Sequence, residues 1–488
     1  QIVRTTGSGQ PALDSFRGLL QWKSQEEMLP DLRALTNGGL LRWPENLVTQ
    51  GLSGGDADAY VIDTLPVPEK TPWNTWFRTS ALAFDEDGVL YVSTHGGDIW
   101  TVRGLERGID HLEWKRFAAG LFEPFGLQVV GQDVFATCRD RLVRLRDLNA
   151  DGEADFYESF SADEDVSTFF HAYNFDLMRD RAGNFYYVKA GQYTSHAFPG
   201  GLIKVSADGA SREMIATGFR MPNGMGILPD DRLTVSDNQG NWIPASKVSL
   251  IKPGGYYGYA QTHARPGSWA PDGGRIDHRE EALPQDFDQP LIWLPHHVDN
   301  SSGGQLWVED GRWGPLSGRF LHTSFGKGWL YYFLLQEFGD VSQAAVVRLP
   351  MDFETGIMRA RVNPLDGQVY TVGLNGWNGN GRKGLGEGGL FRVRYTGKPL
   401  SMVTQAAVRD DGLELGFNFA LDPDSVTQLE NYTIEQWNYR WLPRYGSENW
   451  SVKEPNEKGK DTVVVTSAER TADGRGVVLH IPDLQPAN

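Results

Sequence analysis

The feature that most constrains this chain is a repeat. A short apolar run, a tight turn built on Asp and Gly, and a second apolar run recur at near-constant intervals. Leu82–Phe84 leads through Asp85–Gly88 into Val89–Val92, and Leu127–Val130 leads through Gly131–Asp133 into Val134–Thr137. Leu177–Arg179 leads through Asp180–Gly183 into Asn184–Val188, and Ile227–Leu228 through Pro229–Asp231 into Arg232–Val235. Val362 leads through Asn363–Gly367 into Gln368–Val372. Asp and Gly supply the backbone geometry of hairpin turns, so each unit reads as strand, hairpin, strand. The first four recur about every 45 to 50 residues, the spacing of one four-stranded propeller blade. A further unit fits between residues 290 and 350, where Gly304–Val308 and Phe320–Thr323 read as strands.

The expected fold is all-β: a six-bladed β-propeller over residues 59–397, followed by an Ig-like β-sandwich over 398–488. Tyr60–Leu65 is expected to pair into the last blade and close the ring, which removes exposed sheet edges. Residues 1–58 form an N-terminal extension with one or two short helices between Leu13 and Leu35. The Pro-, Gly- and Asp-rich run from Ala260 to Pro290 reads as a long insertion near the mouth of the central cavity. Beyond Pro399 the pattern changes to alternation in Leu413–Phe419, Thr462–Thr466 and Val477–Ile481, as in half-buried strands. That module resembles the Ig-like units appended to bacterial surface proteins. It holds no obvious catalytic cluster and reads as a spacer or packing unit.

A chain of 488 residues is long for one core and fits two domains. Its 57 Gly, 16 Trp and 17 Tyr suit turn-rich β structure and stacking surfaces for sugars or flat cofactors. A net charge of −17 argues against nucleic acid and anionic membrane surfaces as partners, because both reward a basic patch; it fits cation binding. One Cys leaves no internal disulfide framework and no Cys-rich metal cluster, and Cys138 reads as a buried inert thiol. No apolar run approaches the ~20 residues of a membrane span. The chain begins at Gln1 rather than Met and shows no signal peptide, so it reads as a mature or excised segment.

The sharpest local motif runs from Asp147 to Glu158. Asp147, Asn149 and Asp151 alternate, Gly152 permits a tight turn, Glu153 and Asp155 follow, and Glu158 stands where a bidentate ligand closes a calcium loop. Bound calcium pinning a blade edge is the expectation; a metal-free, Asx-rich hairpin is the plain alternative. His296, His297 and Asp299 suggest a metal trio. Neighbouring residues of a strand face opposite sides, however, so a single cavity-facing histidine, His297, is expected instead. Tyr193 and His196, three apart in a loop, would suit the acid/base pair of a polysaccharide lyase or hydrolase. Trp377 among Asn375, Asn378 and Asn380 would suit a sugar-binding rim, and equally a Gly/Asn-rich turn.

The stretch Gly218–Tyr259 combines architecture with a candidate site. Arg220, Pro222 and Gly224 open it around the turn residue Asn223, Asp230-Asp231 form a hairpin, and a polar loop from Asp237 to Asn241 includes Gly240. Gly254-Gly255-Tyr256-Tyr257-Gly258 closes it. Those features, in that order, resemble the soluble PQQ-dependent glucose/sorbosone dehydrogenases. Nearly the whole chain is also similar to the propeller region of large secreted proteins of Planctomycetes and Verrucomicrobia, often fused to c-type haem domains.

The resemblance implies a PQQ- and calcium-dependent dehydrogenase that oxidises a sugar or polyol hydroxyl in the periplasm or outside the cell and passes electrons to a c-type cytochrome. His171 matches the family's proton acceptor, and a histidine titrates near neutral pH as that role needs. The family's acidic neighbour just before it is Phe170 here, and a histidine satisfied by backbone is the plain alternative. Arg220, Lys327 and Arg359 match cofactor contacts, which a guanidinium fork can make to a carboxylate. The family's second arginine is replaced by Ile357, and Arg361, on the same strand face as Arg359, is expected to compensate as a further cofactor contact. For each cation a surface ion pair is the plain alternative. The family's calcium beside the cofactor is held partly by backbone carbonyls of the loop matching Gly240, where Asp237 adds charge. Asn223, Asp237, His297, Tyr193, His196 and Trp377 complete the candidate substrate contacts. Two other readings stay open: a cofactor-free carbohydrate-active propeller acting as lyase or hydrolase, and a non-catalytic, calcium-stabilised glycan-binding module.

Overall fold

The computed structural model describes residues 10, 13–18, 21, 34–163, 166, 169–192, 200–260, 286–376 and 381–487. Tyr193, His196 and Trp377 lie outside the described residues, as does most of the Ala260–Pro290 insertion.

Among the described residues, six antiparallel sheets are arranged in a ring. Their innermost strands are Thr79–Phe84, Gly126–Val130, Asn174–Arg179, Gly224–Ile227, Ser302–Val308 and Ile357–Val362. Each adjoins the next in chain order, and Ile357–Val362 returns to Thr79–Phe84. The second strand of each sheet follows its first across a hairpin, except in the fifth, where a 3-10 segment, Gly311–Leu316, intervenes. The expected turns are present: Gly88, Gly183, Asp231 and Gly367 all have positive φ, between 65° and 90°.

Closure is non-local. Tyr60–Thr64 pairs with Gly388–Tyr395, so the sixth sheet takes its outer strand from the start of the chain. Asp63 in that strand is buried and accepts from Arg392 and Arg394. A separate apolar cluster fills each junction between neighbouring sheets. Trp100 and Trp114 pack between the first and sixth, Leu127 and Val134 between first and second, and Trp313 and Leu330 between fifth and sixth. Burying each such side chain contributes roughly 1.5–3 kcal/mol. The innermost strands approach so closely that Gly224 rests against Gly303 and Gly304, leaving no room for a Cβ.

The C-terminal region forms a four-stranded sheet in the order Val403–Arg409, Gly412–Phe417, Gly476–His480, Ser467–Arg470. Ile434–Gln436 pairs with Asp461–Val463 in a second, two-stranded sheet. Val426, Val463, Val477 and Leu479 form its core. Among the described residues, no helix is long and apolar enough to cross a membrane.

Candidate active site

A cavity of about 330 Å³ opens at the end of the ring where the innermost strands begin. Its lining follows from that topology. Phe125, Tyr173, Met221, Asn223 and Ser301 immediately precede or approach innermost strands, while Phe175 and Met358 are second residues of such strands. His171, Arg220, Gln192, His296 and Tyr445 also line it. A larger groove, of about 840 Å³, lies between the outer edges of the fourth and fifth sheets and the C-terminal module, among Trp293, Trp437 and Tyr439. It contains neither His171 nor Arg220.

Three predicted residues, His171, Arg220 and Asn223, therefore meet in one cavity. Burial, then the nearby Arg220 and Arg139 guanidinium groups, lower the His171 pKa to about 4, so its imidazole is neutral at neutral pH. Arg139 fixes the main chain in front of it. Its Nη1 and Nη2 donate to the carbonyls of Phe169 and Phe170 at 2.9 and 3.0 Å, and Nε donates to Glu123 at 2.5 Å. The guanidinium also lies 4.4 Å from the Tyr173 ring centroid. An arginine gripping two carbonyls thus anchors the histidine whose acidic neighbour is missing. Sequence reading passed over Arg139 because its target is a pair of backbone atoms 30 residues away.

Arg220 is held by the loop predicted to surround it. The buried Asp237 carboxylate accepts from the backbone N–H groups of Arg220 and Met221, at 2.8 and 2.7 Å. Arg220 Nη1 donates to Gln239 O at 3.1 Å. A Cβ on Gly240 would overlap the Arg220 guanidinium, so this position has no room for any side chain. Arg220 Nε, Asn223 Oδ1 and Gln192 Oε1 are buried without hydrogen-bond partners among the described residues. Such groups at a cavity wall are suited to a ligand that completes them.

Other predicted contacts lie elsewhere. Arg359 is fully buried beneath the cavity, bound to Asp176 at 3.3 Å and to Phe125 O at 3.2 Å; Arg361 binds the same carboxylate at 3.0 Å. Lys327 does not line the cavity and stands 5.9 Å from the Trp329 ring centroid. Asp237 holds the Arg220 backbone rather than facing the cavity. The histidine at the cavity is His296, not His297: Val298 N and Asp299 N both bond Pro295 O, so these residues form a turn and strand alternation does not apply. Asp299 is buried with His322, 2.7 Å away.

The carboxylates of the Asp147–Glu158 run turn to separate backbone and side-chain partners rather than to one centre. Asp147 accepts from Gly152 N and Asp151 N, and Asp151 from Glu153 N. Asn149 donates to Gly39 O. Glu153 accepts from Arg42 N and Trp43 N, and Asp155 from Gly39 N and Leu148 N. Glu158 has moved onto the strand Phe156–Ala162, opposite Arg144, and pairs with Arg146 at 2.9 Å. Among the described residues no group of three or more His, Cys, Asp or Glu is arranged to hold a metal. The motif instead clamps residues 39–43 to the second sheet.

No family model matches the chain, and no curated protein matches it. Solved structures do. The soluble aldose sugar dehydrogenase from Escherichia coli, in its apo form, is 13% identical, with 69% of this chain and 99% of that one covered and a TM-score of 0.51. A glucose dehydrogenase is 16% identical, covering 68% and 99%, with a TM-score of 0.51. Another glucose dehydrogenase is 16% identical, covering 70% and 100%, with a TM-score of 0.50.

This chain has their fold. The resemblance drawn from Arg220, Gly224, Gly240 and Gly254–Gly258 thus holds at the level of the propeller.

The cavity fits a flat anionic quinone in part. Phe125, Tyr173, Phe175 and Phe325 give aromatic walls, and Arg220 gives a fixed cation at the lining. Calcium fits poorly. Among the described residues no carboxylate lines the cavity, Asp237 is committed to backbone N–H groups, and Gly240 O accepts from Gly446 N at 2.9 Å.

Proposed function

We propose that this protein is an oxidoreductase that removes hydride from a sugar or polyol hydroxyl, working with PQQ on a six-bladed propeller followed by an Ig-like module. The observation that supports it is the convergence of His171 and Arg220 on one aromatic-walled cavity. The fold shared with sugar dehydrogenases supports the same reading.

His171 is neutral and accepts the hydroxyl proton at a ring nitrogen. Arg139 keeps that imidazole in place through the carbonyls of Phe169 and Phe170. Arg220 pairs with a cofactor carboxylate through its guanidinium, and the aromatic walls exclude water. PQQ, when bound, supplies the two-electron acceptor for the hydride leaving the carbinol carbon. Lys327 and Arg359 remain proposed only as distant positive charges. Calcium takes no part in these steps. A c-type cytochrome as the next acceptor, and a periplasmic or extracellular location, complete the proposal.

The test is reconstitution with PQQ, with and without calcium, followed by dye reduction over a panel of sugars and polyols. His171→Ala is expected to lower turnover by on the order of 10²–10⁴ while leaving PQQ uptake intact. Reconstituted protein that oxidises nothing would end the reading. Shortened or unsaturated glycans formed without an acceptor would point to a lyase or hydrolase. Saturable glycan binding without turnover would point to a binding module.

A further inference from the structure

The C-terminal module reaches into the cavity. Residues 441–447 lie along the loop 240–244 of the fourth sheet. Trp242 N donates to Leu442 O, Asn241 Nδ2 to Pro443 O, Gly446 N to Gly240 O and Ser447 N to Pro244 O, all between 2.9 and 3.0 Å. Asn241 and Tyr445 form an antiparallel bridge. Trp441 anchors the segment: its Nε1 donates to Gly258 O at 2.6 Å, and its ring lies 4.8 Å from that of Trp242. This docking fixes the Tyr445 backbone, yet the residue is 65% exposed, with its ring 5.1 Å from the Arg220 guanidinium. A large aromatic held rigidly at a cavity wall, with most of its surface open, is suited to stacking on a ligand.

We propose that Tyr445 determines substrate specificity at this cavity by stacking on the apolar C–H face of a ring sugar, so that a cyclic sugar is selected over an open-chain polyol. The inference rests on the oxidoreductase reading and narrows its substrate class. A pyranose offers a preformed flat C–H patch. A linear polyol offers none without freezing several torsions, at a cost in conformational entropy. The compared dehydrogenases match over 99% or more of their own length but cover only 68–70% of this chain, so about a third of this chain is extra to them.

The experiment uses the full chain as wild type, Tyr445→Ala, Tyr445→Phe and Trp441→Ala. D-glucose and D-sorbitol are the probes, read by calorimetry on cofactor-free protein and by dye-linked kcat and KM after PQQ loading. Wild type is expected to prefer D-glucose. Tyr445→Ala should weaken D-glucose binding about tenfold, with KM raised and kcat little changed, and leave D-sorbitol unaffected. Tyr445→Phe should keep the preference, and Trp441→Ala should shift in the direction of Tyr445→Ala. An unchanged glucose-to-sorbitol ratio in Tyr445→Ala overturns the inference while leaving the oxidoreductase reading standing. A Tyr445-dependent preference in calorimetry without any dye reduction supports the inference and ends that reading. Absence of binding and turnover by wild type ends both.

Discussion

Arg359 and Asp176 form an ion pair with no solvent exposure, Nε to Oδ2 at 3.3 Å, directly beneath the candidate site. Asp176 also accepts from Met225 N at 3.1 Å and from Arg361 at 3.0 Å, and Arg359 donates to Phe125 O. One carboxylate and one guanidinium thus tie together the second, third, fourth and sixth sheets. Asp176 achieves this from a left-handed backbone conformation, φ 57°, inside a strand irregularity. The two arginines expected to grip a cofactor instead build the floor on which the cavity rests.

Removing one member of that pair should cost about 3–5 kcal/mol, because the other is left charged and buried. Asp176→Asn keeps the backbone geometry, so its loss measures the charge. Arg359→Met should cost as much, and the double variant less than the sum. Urea denaturation of the three variants checks this. Burial alone would raise the Asp176 pKa, but Arg359, Arg361 and two backbone N–H groups outweigh it and hold the carboxyl below its usual range. Its contribution is therefore present above about pH 4, the unfolded value, and is lost as pH falls through the folded value. Melting curves between neutral and acid pH should show a steeper acid loss in wild type than in Asp176→Asn.

His171 gives a kinetic pH dependence. Burial, Arg220 and Arg139 lower its pKa to about 4, so the acid limb of kcat/KM should fall near pH 4 rather than near the usual ~6.5. In Arg139→Met one depressing charge is gone and the Phe169 and Phe170 carbonyls lose their clamp. The limb should move upward and kcat should drop by on the order of 10²-fold. A purely structural role for Arg139 would leave the limb where it was. Folding follows the same sign. Between about pH 4 and 6.5 the unfolded chain binds the extra proton, so this histidine makes stability rise with pH across that window.

Gly240→Ala tests the grip on Arg220. The added methyl occupies the space of the guanidinium, which must leave its position. Cofactor uptake should fall to the level of Arg220→Ala, with the melting temperature little changed. Uptake equal to wild type would show that the guanidinium is not held by this packing.

Chelation should leave the melting temperature unchanged. The Asp147, Asp151, Glu153 and Asp155 carboxylates already accept backbone N–H groups, and Glu158 is paired with Arg146. Glu153→Gln, by contrast, weakens the clamp on Arg42 and Trp43 and should cost about 1–3 kcal/mol. A rise of several degrees on adding calcium would contradict this account of the loop.

The ring was legible because its signals are local. Gly88, Gly183, Asp231 and Gly367 mark hairpins by residue type alone, and the interval between units gives the period. His171 and Arg220 were legible through order and resemblance. What was not legible depends on distance along the chain. Asp147–Glu158 has the spacing of a calcium loop, but two of its carboxylates, Glu153 and Asp155, cap residues 39–43, which only the folded chain brings near. Arg359 reads like a ligand-binding cation until Asp176, 183 residues earlier, is seen beside it. Tyr445 carries no signal of its own, since its role depends on a bridge to Asn241 across two modules. His296 was mistaken for its neighbour because a turn was read as a strand.

The most direct measurement is titration of cofactor-free protein with PQQ, following the quinone absorbance, in wild type and Arg220→Ala. The account predicts near-stoichiometric binding by wild type, loss of that binding in Arg220→Ala, and little dependence on calcium. No binding by wild type at a large excess of PQQ would contradict it.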